Sequence, residues 1–170
     1  MTDTKLMKNP TGYLRRETKI ESAQLADLVR LASEQGFASS FKVVGSSMMP
    51  FIHSGDKVCV APIEKNEIRM GDVLAFVFGE DCHMLIHRVL KLSNEGFLCK
   101  GDNQSQNGDG WISYEDVIGK VTEIRRNGKV VKLGLGGERR LIARLSISNY
   151  LIPIVNSLRR MKWGIRNLFS

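Results

Sequence analysis

Met84-Leu85-Ile86-His87-Arg88-Val89-Leu90-Lys91-Leu92, a turn at Asn94-Glu95-Gly96, then Gly96-Phe97-Leu98-Cys99-Lys100 closing on Gly101-Asp102-Asn103: this stretch decides the fold class. Two runs rich in branched and aromatic residues, parted by turn formers, read as paired strands. The same texture extends outward through Phe41–Val44, Lys57–Ala61, Val73–Phe78, Val117–Arg125 and Val130–Leu133. These runs are broken by Ser54-Gly55-Asp56, Met70-Gly71-Asp72 and Asn127-Gly128. Asn-Gly between two such runs signals a type I′ hairpin, whose central residues both need positive φ. Residues 41–135 therefore predict a mainly β domain of coiled antiparallel sheets.

Helices are expected on both flanks. Thr18 to Gln35 predicts one helix: Thr18 and Glu21 have capping-box spacing, Leu25, Leu28, Val29, Leu31 and Ala32 form an apolar stripe, and Gly36 is a stop signal. Past Gly134-Leu135-Gly136-Gly137, which reads as a hinge, Leu151, Val155, Leu158, Ile165 and Leu168 recur at helical spacing, with Pro153 suited to a first turn. The chain divides into an N-terminal segment with one helix (1–40), the β domain (41–135) and a basic amphipathic helical tail (136–170).

A length of 170 residues fits one domain, and 42% hydrophobic with 25% charged residues is ordinary for a globular protein. The net charge is +7, and its location is informative. From Glu138 to Ser170 there are seven basic residues and one acidic, giving +6 and leaving +1 for the remainder. An anionic partner should meet the C-terminus. Cys59, Cys82 and Cys99 show no C-x-x-C spacing, the histidines are not clustered, and neither a metal nor another cofactor is expected. No window reaches the roughly 18 apolar residues of a spanning helix, and the N-terminus has no apolar stretch of signal-peptide length. A cytoplasmic location is expected, peripheral on the membrane where the C-terminal helix serves as an in-plane anchor.

The chemistry-bearing segment is Val44-Gly45-Ser46-Ser47-Met48-Met49-Pro50-Phe51-Ile52-His53-Ser54-Gly55-Asp56. Its serines lie where a strand opens into a loop. A serine hydroxyl is a weak nucleophile and needs a neighbouring base and donors for a developing oxyanion. Taken alone, Gly-Ser-Ser before Met reads as a plain turn. The strand histidine His87 and the polar Gly101-Asp102-Asn103 loop change that reading.

In order, G-x-S-M-x-P with a following S-G-D, then I-H-R-V, then K-G-D-N, the chain resembles type I signal peptidases of the S24/S26 superfamily over about residues 41–124. His87 resembles the archaeal and endoplasmic-reticulum branch, where histidine stands in place of the bacterial catalytic lysine. The resemblance implies Ser47 as nucleophile and His87 as general base. It implies Asp102 as the acidic residue supporting the imidazole, with Asp109 as the alternative. Ser46, Met48 and Pro50 fall at the oxyanion and substrate groove. The Ser47 N–H is the expected oxyanion donor. Relatives that add a hydroxyl two places earlier have it where this chain has Gly45. His53 and His83 are expected as surface residues and Asp56 as a turn residue.

The implied function is a serine endopeptidase cleaving a leader or signal-like peptide. Two rivals use the same fold. A self-cleaving repressor would need lysine near His87 and a DNA-binding unit upstream, and neither is seen. A non-catalytic module would grip an extended peptide by β-addition. The expected partners are a peptide or preprotein and, through residues 138–170, an anionic membrane surface, for which packing of that helix on its own domain is the alternative. No nucleic-acid motif accompanies the basic tail.

Overall fold

The computed structural model describes residues 4–8, 14–18, 22–79, 83–105 and 108–157. In chain order the elements are β1 (Thr4–Lys8), β2 (Leu14–Thr18), α1 (Ser22–Glu34), β3 (Ser39–Lys42), β4 (Lys57–Ala61), β5 (Val73–Phe78), β6 (His83–Leu92), β7 (Gly96–Lys100), β8 (Trp111–Ser113), β9 (Val117–Arg126), β10 (Lys129–Val130) and α2 (Arg139–Ile147). A further helical run follows at 151–157.

β1 and β2 form an antiparallel hairpin of their own. It lies where only a helix was expected. Thr18 ends β2, so it cannot cap α1, and its expected partner Glu21 lies outside the described residues. The end of α1 follows the sequence signal. Gly36 at φ 81° lets its N–H bond Ser33 O while the Phe37 N–H bonds Ala32 O, which satisfies carbonyls of the last turn.

The remaining strands make one antiparallel sheet of order β3-β4-β9-β5-β6-β7-β8, with β10 paired to β9. The predicted Asn127-Gly128 turn is present, with φ of 50° and 79° at the two residues. Register shifts at Cys59/Val60, Ala75/Phe76 and Val89/Lys91 insert bulges that tighten the twist and coil the sheet. β5 shows how the coil makes two cores. Val73 and Ala75 pack with Val58, Val121, Ile124 and the α1 residues Ala26 and Val29, whereas Leu74 and Phe76 pack with Val89, Phe97 and Ile112. Alternate side chains of a strand point to opposite faces, so a nearly unbroken apolar run is what a strand buried on both sides requires. Each buried Val, Leu, Ile or Phe among them contributes roughly 1.5–3 kcal/mol.

The C-terminal elements pack onto this body. Ile142 and Leu151 cluster with Phe51, and Val155 packs against them, so Leu151 and Val155, the first residues of the expected apolar stripe, pack on the domain itself. Leu158 onward, with Arg159, Arg160, Lys162, Trp163 and Arg166, lies outside the described residues. The glycine run expected as a hinge is bonded on both sides. Glu138 Oε1 accepts the Gly134 and Gly136 N–H groups at 2.6 and 3.2 Å, and Gly134 O accepts from Arg88 at 2.8 Å.

Candidate active site

Ser47 lies in the connection between β3 and β4. The base of that loop is closed by Val43 N–H to Asp56 O at 2.9 Å and Gly55 N–H to Val43 O at 2.8 Å. Inside it, Met48 and Ile52 are buried anchors, and Met48 O accepts the Phe51 and Ile52 N–H groups. Asp56 holds the far side as expected, accepting the His53 N–H at 2.8 Å, and it also takes two bonds from Arg126 at 2.9 and 2.7 Å. These bonds hold the Asp56 carboxyl below its ordinary value. The apolar anchors and the buried carboxylate together fix the loop.

β6 supplies the base. His87 is 3% exposed, and its Nε2 is 3.0 Å from Ser47 Oγ. The Phe76 ring meets the imidazole edge-on at 6.2 Å between centroids. On the other side, Nδ1 is 2.5 Å from Asp109 Oδ2. Asp109 follows Gly108, whose φ is 103° and where a Cβ would come 2.6 Å from Cys99 O; the Asp109 N–H then bonds that same carbonyl at 3.0 Å. An ionised carboxylate can only accept, so Nδ1 carries a hydrogen, and in the neutral imidazole that leaves the Nε2 lone pair for the serine hydroxyl.

Asp102 is not the residue that holds the imidazole. It is 1% exposed and receives two bonds from Arg88, Nε to Oδ1 at 2.8 Å and Nη2 to Oδ2 at 2.7 Å. Arg88 Nη1 donates further to Gly71 O and Gly134 O, at 2.9 and 2.8 Å. His87 and Arg88 are consecutive on β6, opposite Leu74 and Val73 respectively, so they leave the strand on opposite faces and take different acids. Burial raises the Asp102 carboxyl, and the Arg88 bonds oppose that rise. Asp102 senses His87 only through space.

The Gly101-Asp102-Asn103 loop is nonetheless essential to the serine's position. A Cβ at Gly101 would lie 2.8 Å from Ser47 O and 3.0 Å from Ser47 Cβ, which only glycine allows. The Asn103 N–H donates to Ser47 O at 2.7 Å, and its side-chain amide donates to Ser46 O at 3.3 Å. Lys100 Nζ, buried, reaches Ser146 O at 3.2 Å and Asn149 Oδ1 at 3.0 Å, joining the loop to the C-terminal end of α2. Burial lowers the Lys100 ammonium pKa, against the pull of Asp102.

A cleft of about 320 Å³ opens beside Ser47 and His87, walled by Leu25, Phe41, Val43, Met48, Met84 and Ile86. Of the expected groove residues, Met48 lines this cleft. Ser46 and Pro50 lie outside its lining and hold the loop, Ser46 O accepting the Met49 N–H and Pro50 O meeting His53 Nε2 at 2.9 Å. Cys99 is no rival nucleophile, because burial, with the Asp109 charge second, pushes its thiol well up. Among the described residues no cluster of His, Cys, Asp or Glu could hold a metal ion, and no helix is long and apolar enough to cross a membrane.

Sequence reasoning missed Arg88 as the partner of Asp102. A signal was present: a charged residue inside an apolar strand run must find an opposite charge when buried.

The signal peptidase complex catalytic subunit SEC11C of Homo sapiens, of Mus musculus and of Canis lupus familiaris is in each case 32% identical to this chain over 92 residues, covering 46% of this chain and 47% of the relative. The chain therefore spans about half the length of the curated relatives it matches. The family described as Peptidase S24-like matches residues 12–122, which take in the nucleophile loop, β6 and the Asp102–Asp109 region. With well over half of its length inside that match and a coiled antiparallel sheet beneath it, the chain belongs to the Peptidase S24-like family, within the signal-peptidase-like S24/S26 group.

Proposed function

We propose that the protein is a serine endopeptidase that uses Ser47 as nucleophile, His87 as general acid and base, and Asp109 to orient the imidazole. The observation that carries the reading is the unbroken line from Ser47 Oγ to Nε2 at 3.0 Å and from Nδ1 to Asp109 at 2.5 Å. Such a line lets His87 accept the hydroxyl proton as Oγ attacks a peptide carbonyl. The tetrahedral oxyanion meets the Ser47 N–H. His87 returns the proton to the departing amine, and the ester left on Ser47 is hydrolysed by water activated at the same imidazole. Gly45 brings no hydroxyl to the oxyanion, so backbone donors must carry that load.

The substrate is a peptide segment lying extended in the cleft between two strand edges that are unpaired among the described residues. β3 is the terminal strand of its sheet, and β7 pairs with β6 only from Arg88 onward. An extended peptide satisfies such edges through its main chain, and the apolar walls favour apolar side chains. A leader or signal-like peptide has that character. Incubation with peptide libraries, read by mass spectrometry, should give internal cleavage by the wild type and none by Ser47→Ala. Equal cleavage by both would refute the assignment.

A membrane surface is the second proposed partner. On α2, Arg140, Leu141, Arg144 and Ile147 are exposed on one helical face, and Tyr150 and Ile154 are exposed just beyond. Mixed arginine and apolar residues on one face, in a segment of charge +6, suit an in-plane helix on the anionic cytoplasmic leaflet. The protein should float with anionic vesicles and stay behind with neutral ones, and Leu141→Ser/Ile147→Ser should reduce flotation. Flotation unchanged by that pair, or independent of lipid charge, would count against it.

A further inference from the structure

The proposed peptide cleft has two strand edges but only one obvious end. Ser47 and His87 lie at one place along it, and the first turn of α1 lies at another, with Ser22 and Leu25 both in the lining. What Ser22 does there can be read from the ladder. β5 and β6 pair without a register shift from Val73↔Arg88 to Phe78↔His83. The Val89 N–H bonds Asp72 O and Val89 O accepts the Gly71 N–H, both at 2.8 Å, so Val89 turns its main chain toward the β5 side. In an antiparallel ladder the direction alternates by residue. Leu85 and His87 therefore face β5, and Met84 and Ile86 face the open edge.

That open edge is not wholly free. The Met84 N–H, the outermost donor on it, bonds Ser22 Oγ at 3.2 Å. Among the described residues, the main-chain groups left for a ligand are Met84 C=O and the N–H and C=O of Ile86, after which β7 takes over at Arg88. From His87 to Met84 is three residues, about 10 Å of strand. α1 is held in place independently, because Ala26 and Val29 belong to the buried core.

We infer that α1 is the end wall of the substrate groove, and that Ser22, by occupying the Met84 N–H, limits recognition on that side of the scissile bond to about three residues. This rests on the peptidase reading for its substrate class and on the ladder geometry for its position. Ser22 is here a specificity-determining residue and plays no part in the chemistry. A protein with such a stop selects a short extended segment beside the cleavage point, and anything further along the substrate must turn out of the cleft.

The test is a set of acetylated peptide libraries lengthened one residue at a time, in each direction, from about two to about eight residues. Affinity is measured on the Ser47→Ala protein and kcat/KM on the wild type. On one arm both quantities should rise up to about three residues and then level off. Ser22→Ala should move the plateau by one residue, with a gain of about threefold to tenfold, the scale of one hydrogen bond. It should also speed amide exchange at Met84. Ser22→Thr, which keeps the hydroxyl, should hold the wild-type plateau and the slow exchange. Affinity that climbs steadily on both arms, a plateau indifferent to Ser22→Ala, or Met84 exchange that does not change would overturn the inference. A plateau in binding without any cleavage would leave the wall standing and remove the peptidase, whereas cleavage without a plateau would do the reverse. Absence of both binding and cleavage would remove both.

Discussion

Asp109→Asn is expected to lower kcat for the proposed peptide cleavage by about 10⁴-fold while leaving the melting temperature near that of the wild type, the scale seen when a serine–histidine pair loses its orienting carboxylate. The reason lies in one hydrogen. With Asp109 Oδ2 at 2.5 Å, Nδ1 must donate, so Nε2 is free to accept the Ser47 proton. An asparagine amide can donate to Nδ1, which puts the ring hydrogen on Nε2 and removes the base. Steady-state kinetics and a thermal melt of each variant check this. The informative control is Asp102→Asn, whose principal effect should be on stability because its carboxylate belongs to Arg88. A 10⁴-fold kinetic loss confined to Asp102→Asn, with Asp109→Asn nearly silent, would reverse the assignment of the two acids.

Arg88→Met is expected to cost about 3–5 kcal/mol of folding stability, the usual consequence of removing one partner of a buried ion pair. Four bonds leave with the guanidinium: two to Asp102 and one each to Gly71 O and Gly134 O. Methionine fills most of the space and replaces none of them. For a chain of this size the melting temperature should fall by roughly 10 °C. The pH dependence has a definite sign. Burial already raises the Asp102 carboxyl, and without Arg88 nothing comparable opposes the rise. A folded-state carboxyl raised above its unfolded value destabilises the fold where the unfolded carboxyl is ionised and the folded site cannot comfortably be. The deficit of Arg88→Met should therefore be greatest near neutral pH and narrow as the pH falls through the raised value. Arg88→Met/Asp102→Leu should recover much of the loss, since an apolar pair of similar volume tolerates burial better than an orphaned charge. Denaturant melts across pH measure both effects, and an undiminished deficit at low pH would contradict this account of the pair.

Much of the β body was legible because its strands are short apolar runs bounded by residues with strong turn chemistry. Lys57–Ala61, Val73–Phe78 and Gly96–Lys100 fall on their predicted bounds. Where apolar content alone carried the reading, the bounds moved: Phe41–Val44 became Ser39–Lys42, and Val130–Leu133 shrank to Lys129–Val130 beside the Asn127-Gly128 turn. β8 is three residues long, and β1 and β2 are rich in charged residues, so neither carries an apolar pattern. The two acids of the site were harder to separate. Asp102 and Asp109 both follow glycine, and both lie downstream of the same histidine strand. Only the side of β6 from which His87 leaves, and the return of Gly108 onto Cys99, decide which acid meets the imidazole. That is a property of the register and of one positive-φ turn, neither of which periodicity reports.

Activation of the Ser47 hydroxyl is read by an acylating or phosphonylating serine probe followed by peptide mapping. A single covalent adduct is expected on the peptide containing Ser47, lost in Ser47→Ala and strongly slowed in His87→Ala. An adduct that persists in Ser47→Ala, or labelling that is indifferent to His87, would contradict it.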